Sequence, residues 1–321
     1  MRPATTAVPD AGTISNTGST GPDVNYGDLS KAAVLLRKCR LKPPPMEADK
    51  LYRTQDILAG NTLTVYAIGR DIGGNFVENV ALENTNDWSL INVTGGIPAS
   101  ALEPAPDLKS AVFSSQLTGT ANIQASLPGI ISVPSETITV LPRNADEIVI
   151  NTQPPANAIA GEVFSNDVIV HVLDIFGNLV TTDNSTQATI SINSGNGTLS
   201  GTLTRTAVNG VITFDDLSAD IANIIDLSIT STGLNSLTTT SIEVDNNVPA
   251  GIIYLEQPVN TAQGQTINPP VEVQLVDAFG NYADTQGIDL NVTASVALDA
   301  GSTLNATTDA DRSGCFRQYH Y

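Results

Sequence analysis

A five-residue pattern, Asp-x-x-Gly-Asn, occurs three times and constrains the fold more than any other feature of the sequence. It reads DIGGN at 71–75, DIFGN at 174–178 and DAFGN at 277–281, and successive aspartates are 103 residues apart both times. Self-similarity at a fixed spacing is the signature of a repeated structural unit. The 321-residue chain is therefore predicted to contain one module written three times, called here beads one, two and three.

The similarity between the copies extends upstream of the pattern. The segment TQPPANAIAGEVFSNDVIVHVL, which begins at 152, aligns with EQPVNTAQGQTINPPVEVQLV, which begins at 256, with a one-residue gap. The corresponding segment of bead one, RTQDILAGNTLTVYAIGR from 53, is more distant but keeps an Ala-Gly pair that bead two also has. A shared module is therefore a stronger interpretation than a recurring short motif.

Alternating apolar residues precede each copy of the pattern and predict a strand that ends there, because side chains along a strand point to opposite faces in turn. In bead two the predicted inward set is Val168, Val170 and Val172. Four further strand-like stretches of bead two are ATISI (188–192), GVITF (210–214), IIDLSIT (224–230) and TTTSIEV (238–244). Short strands at this spacing, separated by Gly, Asn and Asp turns, favour an all-β sandwich.

The predicted bead boundaries are 48–142, 146–245 and 250–321, joined by short polar linkers that contain Pro. Residues 1–47 are predicted to form a disordered or non-globular arm, whose basic stretch SKAAVLLRKCRLKPPP has a short helix as its alternative. Bead three has no counterpart to the last part of bead two, so it is expected to be incomplete and to leave an unpaired edge.

Each copy of the pattern predicts a tight corner after its strand. The aspartate accepts a hydrogen bond from a backbone amide two residues on, and the glycine adopts a left-handed conformation without a steric penalty. The rival interpretation is a calcium site at Asp71, Asp174 and Asp277, because carboxylate and carbonyl oxygens suit a hard cation. No other cofactor is indicated. The residues assigned to structural turns are Asp71, Gly74, Asn75, Asp174, Gly177, Asn178, Asp277, Gly280 and Asn281.

Composition excludes several classes of function. The chain has 33 acidic and 14 basic residues, a net charge of −19, which repels phosphate backbones and argues against a nucleic-acid partner. The longest early apolar run, AAVLL at 32–36, is too short for a membrane span or a signal-peptide core. A secreted protein needs such a signal, so the sequence is interpreted as a fragment of a longer chain.

Catalytic machinery is not apparent in the sequence. His171 lies on the predicted outer face of a strand, and neither of the other two beads has a histidine at that position. Asp215 and Asp216 are adjacent and would point in opposite directions on a strand, so they are predicted to bind backbone amides in the loop that follows them rather than to form a glycosidase pair. The single tryptophan, Trp88, is predicted to fill the core of bead one, with an exposed sugar-stacking platform as the alternative.

A strand that runs into DAFGN, together with GTLSGTLTRTAVNGVITFDDLS in bead two, resembles the bacterial immunoglobulin-like repeats of invasin- and intimin-type surface proteins. The resemblance covers about 48–312. It implies tandem immunoglobulin-like sandwiches in a non-enzymatic, extracellular or cell-surface stalk or adhesion region, but it does not imply a known receptor. The partners we expect are the neighbouring beads of a longer chain, and the further candidate is a surface-protein or glycan ligand. The alternative is a carbohydrate-binding accessory module of a secreted hydrolase, in which Trp88 would contact sugar.

Overall fold

The computed structural model is built almost entirely from strands, and the all-β prediction is confirmed. The residues whose structure is described are 31–37, 55–71, 75–262, 265, 267–283, 289–293, 303–307 and 314–315. In this part of the chain the helical elements are two short 3-10 turns, Thr85–Asp87 and Ala99–Ala101, and no helix is long and apolar enough to cross a bilayer.

Bead one consists of two sheets. Its strands are β1 (Lys31–Arg37), β2 (Gln55–Leu58), β3 (Thr62–Arg70), β4 (Phe76–Asn79), β5 (Trp88–Ile91), β6 (Leu102–Pro104), β7 (Ser110–Ser114), β8 (Gly119–Ala125), β9 (Ile131–Val133) and β10 (Ile138–Leu141). One sheet has the order β6-β7-β3-β1-β9, with β4 on β3, and the other has the order β2-β10-β8-β5.

Bead two has the same two-layer plan with more strands. These are β11 (Glu147–Thr152), β12 (Asn157–Ile159), β13 (Val168–Leu173), β14 (Gln187–Ser194), β15 (Leu199–Ser200), β16 (Thr204–Thr206), β17 (Val211–Phe214), β18 (Ser218–Ala219), β19 (Ile224–Ser231), β20 (Leu237–Thr238) and β21 (Ile242–Asp245). The sheets are β11-β13-β17 and β12-β21-β19-β14-β16, with β20 on β19, and β15 pairs β18. In both beads a short early strand runs parallel to the last one, β2 on β10 and β12 on β21.

The described strands of bead three are β22 (Gly251–Glu256), β23 (Glu272–Val276), β24 (Asp289–Thr293), β25 (Thr303–Thr307) and β26 (Gly314–Cys315). They form the sheet β22-β23-β26 and the pair β24-β25. Ile252 pairs with Leu275 as Ile148 of bead two pairs with Val172, yet Ile252 is 52% exposed and Ile148 is fully buried at 0%. The incomplete third bead stays a prediction.

Each of the first two beads has its own apolar core. The predicted inward set of β13, Val168, Val170 and Val172, is fully buried, and the four other stretches predicted for bead two overlap β14, β17, β19 and β21. Branched aliphatic residues supply most of the core, because they pack well on a pleated surface. The buried core residues of bead one come from the sequence range 57–140, and those of bead two come from the range 148–244.

The structure differs from the predicted N-terminal arm at residues 31–37. Instead of a non-globular tail or a basic helix, these residues form β1, which pairs antiparallel with β3 along its whole length and parallel with β9 at one end. The backbone hydrogen bonds of β3 explain the difference, because a central strand with a free side accepts a partner whose sequence is only weakly strand-like. The rest of the predicted arm lies outside the described residues.

Candidate functional site

The repeated pattern forms a closed corner in beads two and three. In bead two, Asp174 Oδ1 accepts hydrogen bonds from the backbone N–H groups of Phe176 and Asn178, both at 2.9 Å. In bead three, Asp277 Oδ1 accepts from Phe279 at 2.8 Å and from Asn281 at 2.9 Å. The aspartate thus satisfies the amides that the reversal frees from the sheet.

The glycine of each described corner has the left-handed backbone that the turn requires. Gly177 has a φ of +78° and Gly280 a φ of +89°, and no heavy atom lies within 4 Å of the position a Cβ would occupy in either. The conformation alone therefore accounts for glycine there. Gly74, the third predicted turn glycine, lies outside the described residues.

In the corner of bead one, the asparagine bonds to the aspartate as it does in the other two corners. Asn75 donates its backbone N–H to Asp71 Oδ1 at 2.8 Å and its side-chain amide to Asp71 Oδ2 at 3.0 Å. Asn75 is exposed, whereas Asn178 and Asn281 are buried. The same sequence pattern therefore lies in two different environments: the asparagine is exposed in bead one, and it is covered by other residues in beads two and three.

Asn178 is buried because it bonds to the preceding bead. Its Oδ1 accepts from the backbone N–H of Thr118 at 3.0 Å, and its Nδ2 donates to the carbonyl oxygen of Gln116 at 2.8 Å. Asn281 repeats the arrangement on bead two, accepting from Ala222 N–H at 2.8 Å and donating to Asp220 O at 2.8 Å. Each asparagine side chain therefore accepts one bond and donates one, as a backbone peptide group does. Its partners lie in a loop of the preceding bead, the loop before β8 for Asn178 and the loop before β19 for Asn281.

The aromatic residue of the corner also reaches the preceding bead. Phe176 packs against the bead one core, and its Cζ lies 2.8 Å from the position a Cβ on Gly60 would occupy. The ring of Phe279 covers Gly161 in the same way, with its Cζ against the position that a Cβ on Gly161 would occupy. Gly60 and Gly161 have φ values of +76° and +79°, so glycine is required there both by the backbone and by the ring above it.

The linkers are bound on both sides. The backbone N–H of Arg143 donates to Asp174 Oδ2 at 2.9 Å, while its Nε donates to the carbonyl oxygen of Ala59 at 2.7 Å. In the second linker the N–H of Asn247 donates to Asp277 Oδ2 at 2.9 Å, and its Nδ2 donates to Ala160 O at 2.9 Å. One linker residue thus ties the corner of the following bead to the Ala-Gly turn of the preceding one.

These hydrogen bonds hold both corner aspartates in the ionised form. Burial by itself would raise the pKa of Asp174, but N–H donors from Arg143, Asn178 and Phe176 outweigh it and keep that pKa below its ordinary value. The pKa of Asp277 is lowered against the same opposing effect of burial, by donors from Asn281, Asn247 and Phe279. A charged acceptor at the centre of several N–H groups makes the strong class of hydrogen bond.

Reasoning from the sequence assigned the corner to a turn and missed its contacts with another bead. Two signals were present. The Ala-Gly pair occurs before the first and second corners, and phenylalanine precedes the corner glycine only in beads two and three. The pair is the surface that receives the ring of the following bead, so the contact partners were visible in the sequence although their pairing was not.

The calcium interpretation meets an obstacle at the two buried corners. Both carboxylate oxygens of Asp174, and both of Asp277, accept hydrogen bonds from N–H groups that a cation would have to displace. Within the described part of the chain, no three His, Cys, Asp or Glu side chains lie together as metal ligands would.

We therefore expect calcium to leave the stability of the chain unchanged. Melting curves recorded with calcium and with a chelator in excess should have midpoints that agree within about 1 °C, since a bound ligand would raise the midpoint by mass action. A midpoint that falls by several degrees on chelation would instead restore Asp71, Asp174 and Asp277 as ligand candidates.

Trp88 lies in the core of bead one. It is 5% exposed, and its Nε1 donates to the carbonyl oxygen of Leu108 at 3.4 Å. This position agrees with the prediction that Trp88 fills the core of bead one. It does not agree with the alternative of a sugar contact, because a buried ring offers no face on which a sugar can stack.

The two adjacent aspartates of bead two form a surface network. Asp216 accepts from the backbone N–H and the hydroxyl of Thr202, and both carboxylates pair with Arg205. The Thr202 bonds, followed by Arg205, lower the pKa of Asp216 to about 2. The bonded amide thus belongs to the preceding loop and not, as predicted, to the following one. His171 lies half-buried in β13, where it pairs with Val149 and Val211.

Comparison with solved structures gives similarities of fold at low identity. The chain resembles domains 4–9 of the surface layer protein SbsC (18% identity, TM-score 0.28), covering 88% of this chain and 43% of that one. It also resembles the Yersinia pseudotuberculosis adhesin InvE (14% identity, 73% and 70% coverage, TM-score 0.27) and a Bacteroides vulgatus β-glycosidase (14%, 67% and 25%, 0.29). Neither a protein-family model nor a curated protein matches the sequence. At these values the similarities do not assign a function.

Proposed function

We propose that the chain is a non-enzymatic, extracellular spacer: a tandem array of immunoglobulin-like beads that presents another domain away from a surface. The observation that carries the proposal is the repetition of one joint. Bead two contacts bead one, and bead three contacts bead two, through equivalent residues and nearly equal distances. A chain selected for a single binding or catalytic site has no need to reproduce a joint, whereas a spacer does.

The charge of the chain supports the same role. A net charge of −19 keeps such an array soluble and opposes its self-association. The alternative of a sugar-binding accessory module depended on an exposed Trp88, and that ring is buried.

Location and binding can be tested separately. Antibodies raised against the purified chain should label intact cells of the source organism, and brief protease treatment of those cells should remove the label. The purified chain, applied to a glycan array at micromolar concentration, should show no binding above that of a denatured control.

Labelling that appears only after the cells are permeabilised would contradict an extracellular location. Saturable binding to one class of glycan that survives Trp88→Phe would favour a binding module with another platform. Such binding would replace the spacer proposal rather than refine it.

A further inference from the structure

We infer that the Asp-x-Phe-Gly-Asn corner is a docking surface for another bead of the same kind, and that it fixes the relative orientation of the two beads. The surface consists of Asp174, Phe176 and Asn178 in bead two, and of Asp277, Phe279 and Asn281 in bead three. The partner it fits is the end of a sandwich that presents a left-handed Ala-Gly turn beside a loop with a free carbonyl oxygen and a free N–H group.

Three kinds of contact at each joint constrain different motions. The asparagine side chain makes two hydrogen bonds in opposite directions, 2.8 and 3.0 Å long at the first joint, and two such bonds fix the rotation of one bead about the other. The phenylalanine covers a glycine from above, which limits bending towards that side. The linker residue bonds to both beads at once, so the linker is not a free tether.

The repetition of these contacts shows that they belong to the module and not to one pair of neighbours. Gly60 and Gly161 both lie under a ring, and Ala59 and Ala160 both accept a bond from a linker side chain. The linker side chains differ, Arg143 in one joint and Asn247 in the other, yet each donates to the carbonyl oxygen of the alanine in the Ala-Gly turn. The surface therefore recognises backbone, which allows any bead with the same turn and loop to serve as partner.

This inference deepens the proposed spacer function, since a spacer of defined reach needs joints of defined angle. Its test, however, does not depend on location. A rigid joint in a protein that proves to be intracellular would leave the inference intact, and a flexible joint in an extracellular protein would overturn only the inference.

The experiment measures the distance between bead one and bead two by pulsed electron paramagnetic resonance on the full chain. Spin labels are attached at Glu136→Cys and Thr238→Cys, which are exposed positions away from the joint, after both natural cysteines are changed by C39S and C315S. We expect a single narrow distance distribution, because the contacts leave one orientation.

Two pairs of variants separate the joint from the fold. Phe176→Ala removes the ring that covers Gly60, and Ile175→Ala, one residue earlier and 65% exposed, is its control. Gly60→Ala displaces the same ring from the side of bead one. Its control is Gly129→Ala, because Gly129 has a φ of +75°, close to the +76° of Gly60, but no atom within 4 Å of the added Cβ.

We expect Phe176→Ala and Gly60→Ala to widen the distance distribution at least twofold, and Ile175→Ala and Gly129→Ala to leave it unchanged. Circular dichroism of each variant confirms that the strands are retained. If one variant fails to fold, the other tests the same contact from the opposite bead. A broad distribution in the parent chain, or equal widths in each variant and its control, would refute the inference.

Discussion

The Asn178→Ala substitution, although made in bead two, is expected to lower the stability of bead one by about 2 kcal/mol, or about 1 kcal/mol for each hydrogen bond lost. Asn178 makes two bonds to bead one, with Thr118 N–H and Gln116 O. When bead one unfolds, the parent chain gives up both bonds, whereas the variant has none to give up. The coupling between the beads is therefore measured as a lower free energy of unfolding of bead one, although the substitution is in bead two.

The chain contains its own reporter for this measurement. Trp88 is the single tryptophan and lies in the core of bead one, so its emission in a urea titration follows that bead alone. With a slope of about 1–2 kcal/mol per molar urea for a domain of this size, the midpoint should fall by on the order of 1 M.

Asn281→Ala is the matched control. Asn281 makes the same two bonds, but to Ala222 and Asp220 of bead two, and it bonds to none of the described residues of bead one. Changes at separate sites without shared partners are close to additive, so the Trp88 transition should stay within about 0.5 kcal/mol of the parent. Equal shifts for Asn178→Ala and Asn281→Ala, or no shift for either, would contradict coupling through the corner.

The sequence was sufficient to predict the all-β fold and the main strands of bead two. Alternation in β13 predicted the buried set Val168, Val170 and Val172, since one face of that strand packs on the core and the other does not. Alternation was less reliable in bead three. On β23 the alternation of Val273 and Leu275 with Gln274 predicts an outward-facing Gln274. Instead, Gln274 is 4% exposed and donates its side-chain amide to Leu275 O. An amide that finds an acceptor nearby can be buried at little cost, and no periodicity in sequence shows whether one is available.

The joints could not be predicted, because they depend on which surfaces of two separate modules meet. The bonds of Asn178 reach residues 60 and 62 positions earlier in the chain, a separation for which local sequence gives no register. The sequence does carry a physical trace of the joint in its differences between copies. Bead one has Gly73 where the others have Phe176 and Phe279, so its corner has the same Asp, Gly and Asn but lacks the ring that covers a glycine.

The Asp174→Asn substitution is expected to destabilise bead two by about 3 kcal/mol, since Asp174 is a buried charged acceptor whose neighbours are all donors. Its two oxygens accept from the N–H groups of Phe176, Asn178 and Arg143. An amide in either orientation would place an NH₂ group against at least one of these N–H groups. Asp71→Asn is the control, because Asp71 makes the same bonds to its corner asparagine but is only half-buried, and there we expect a loss of about 1 kcal/mol or less.

Acid should have the same effect as the substitution, by protonating the group. The folded-state pKa of Asp174 is lowered from 3.8, so its contribution to stability is fully present above the unfolded-state pKa and is lost as the pH falls below about 4. Asp183, Asp226 and Asp277 have lowered pKa values as well, which makes the difference between parent and variant the informative quantity. We expect the two free energies of unfolding, measured by circular dichroism from pH 7 to pH 2.5, to differ by a constant amount above pH 5 and to converge below pH 4. A gap that persists unchanged to pH 2.5 would mean that the ionised carboxylate is not what closes the corner.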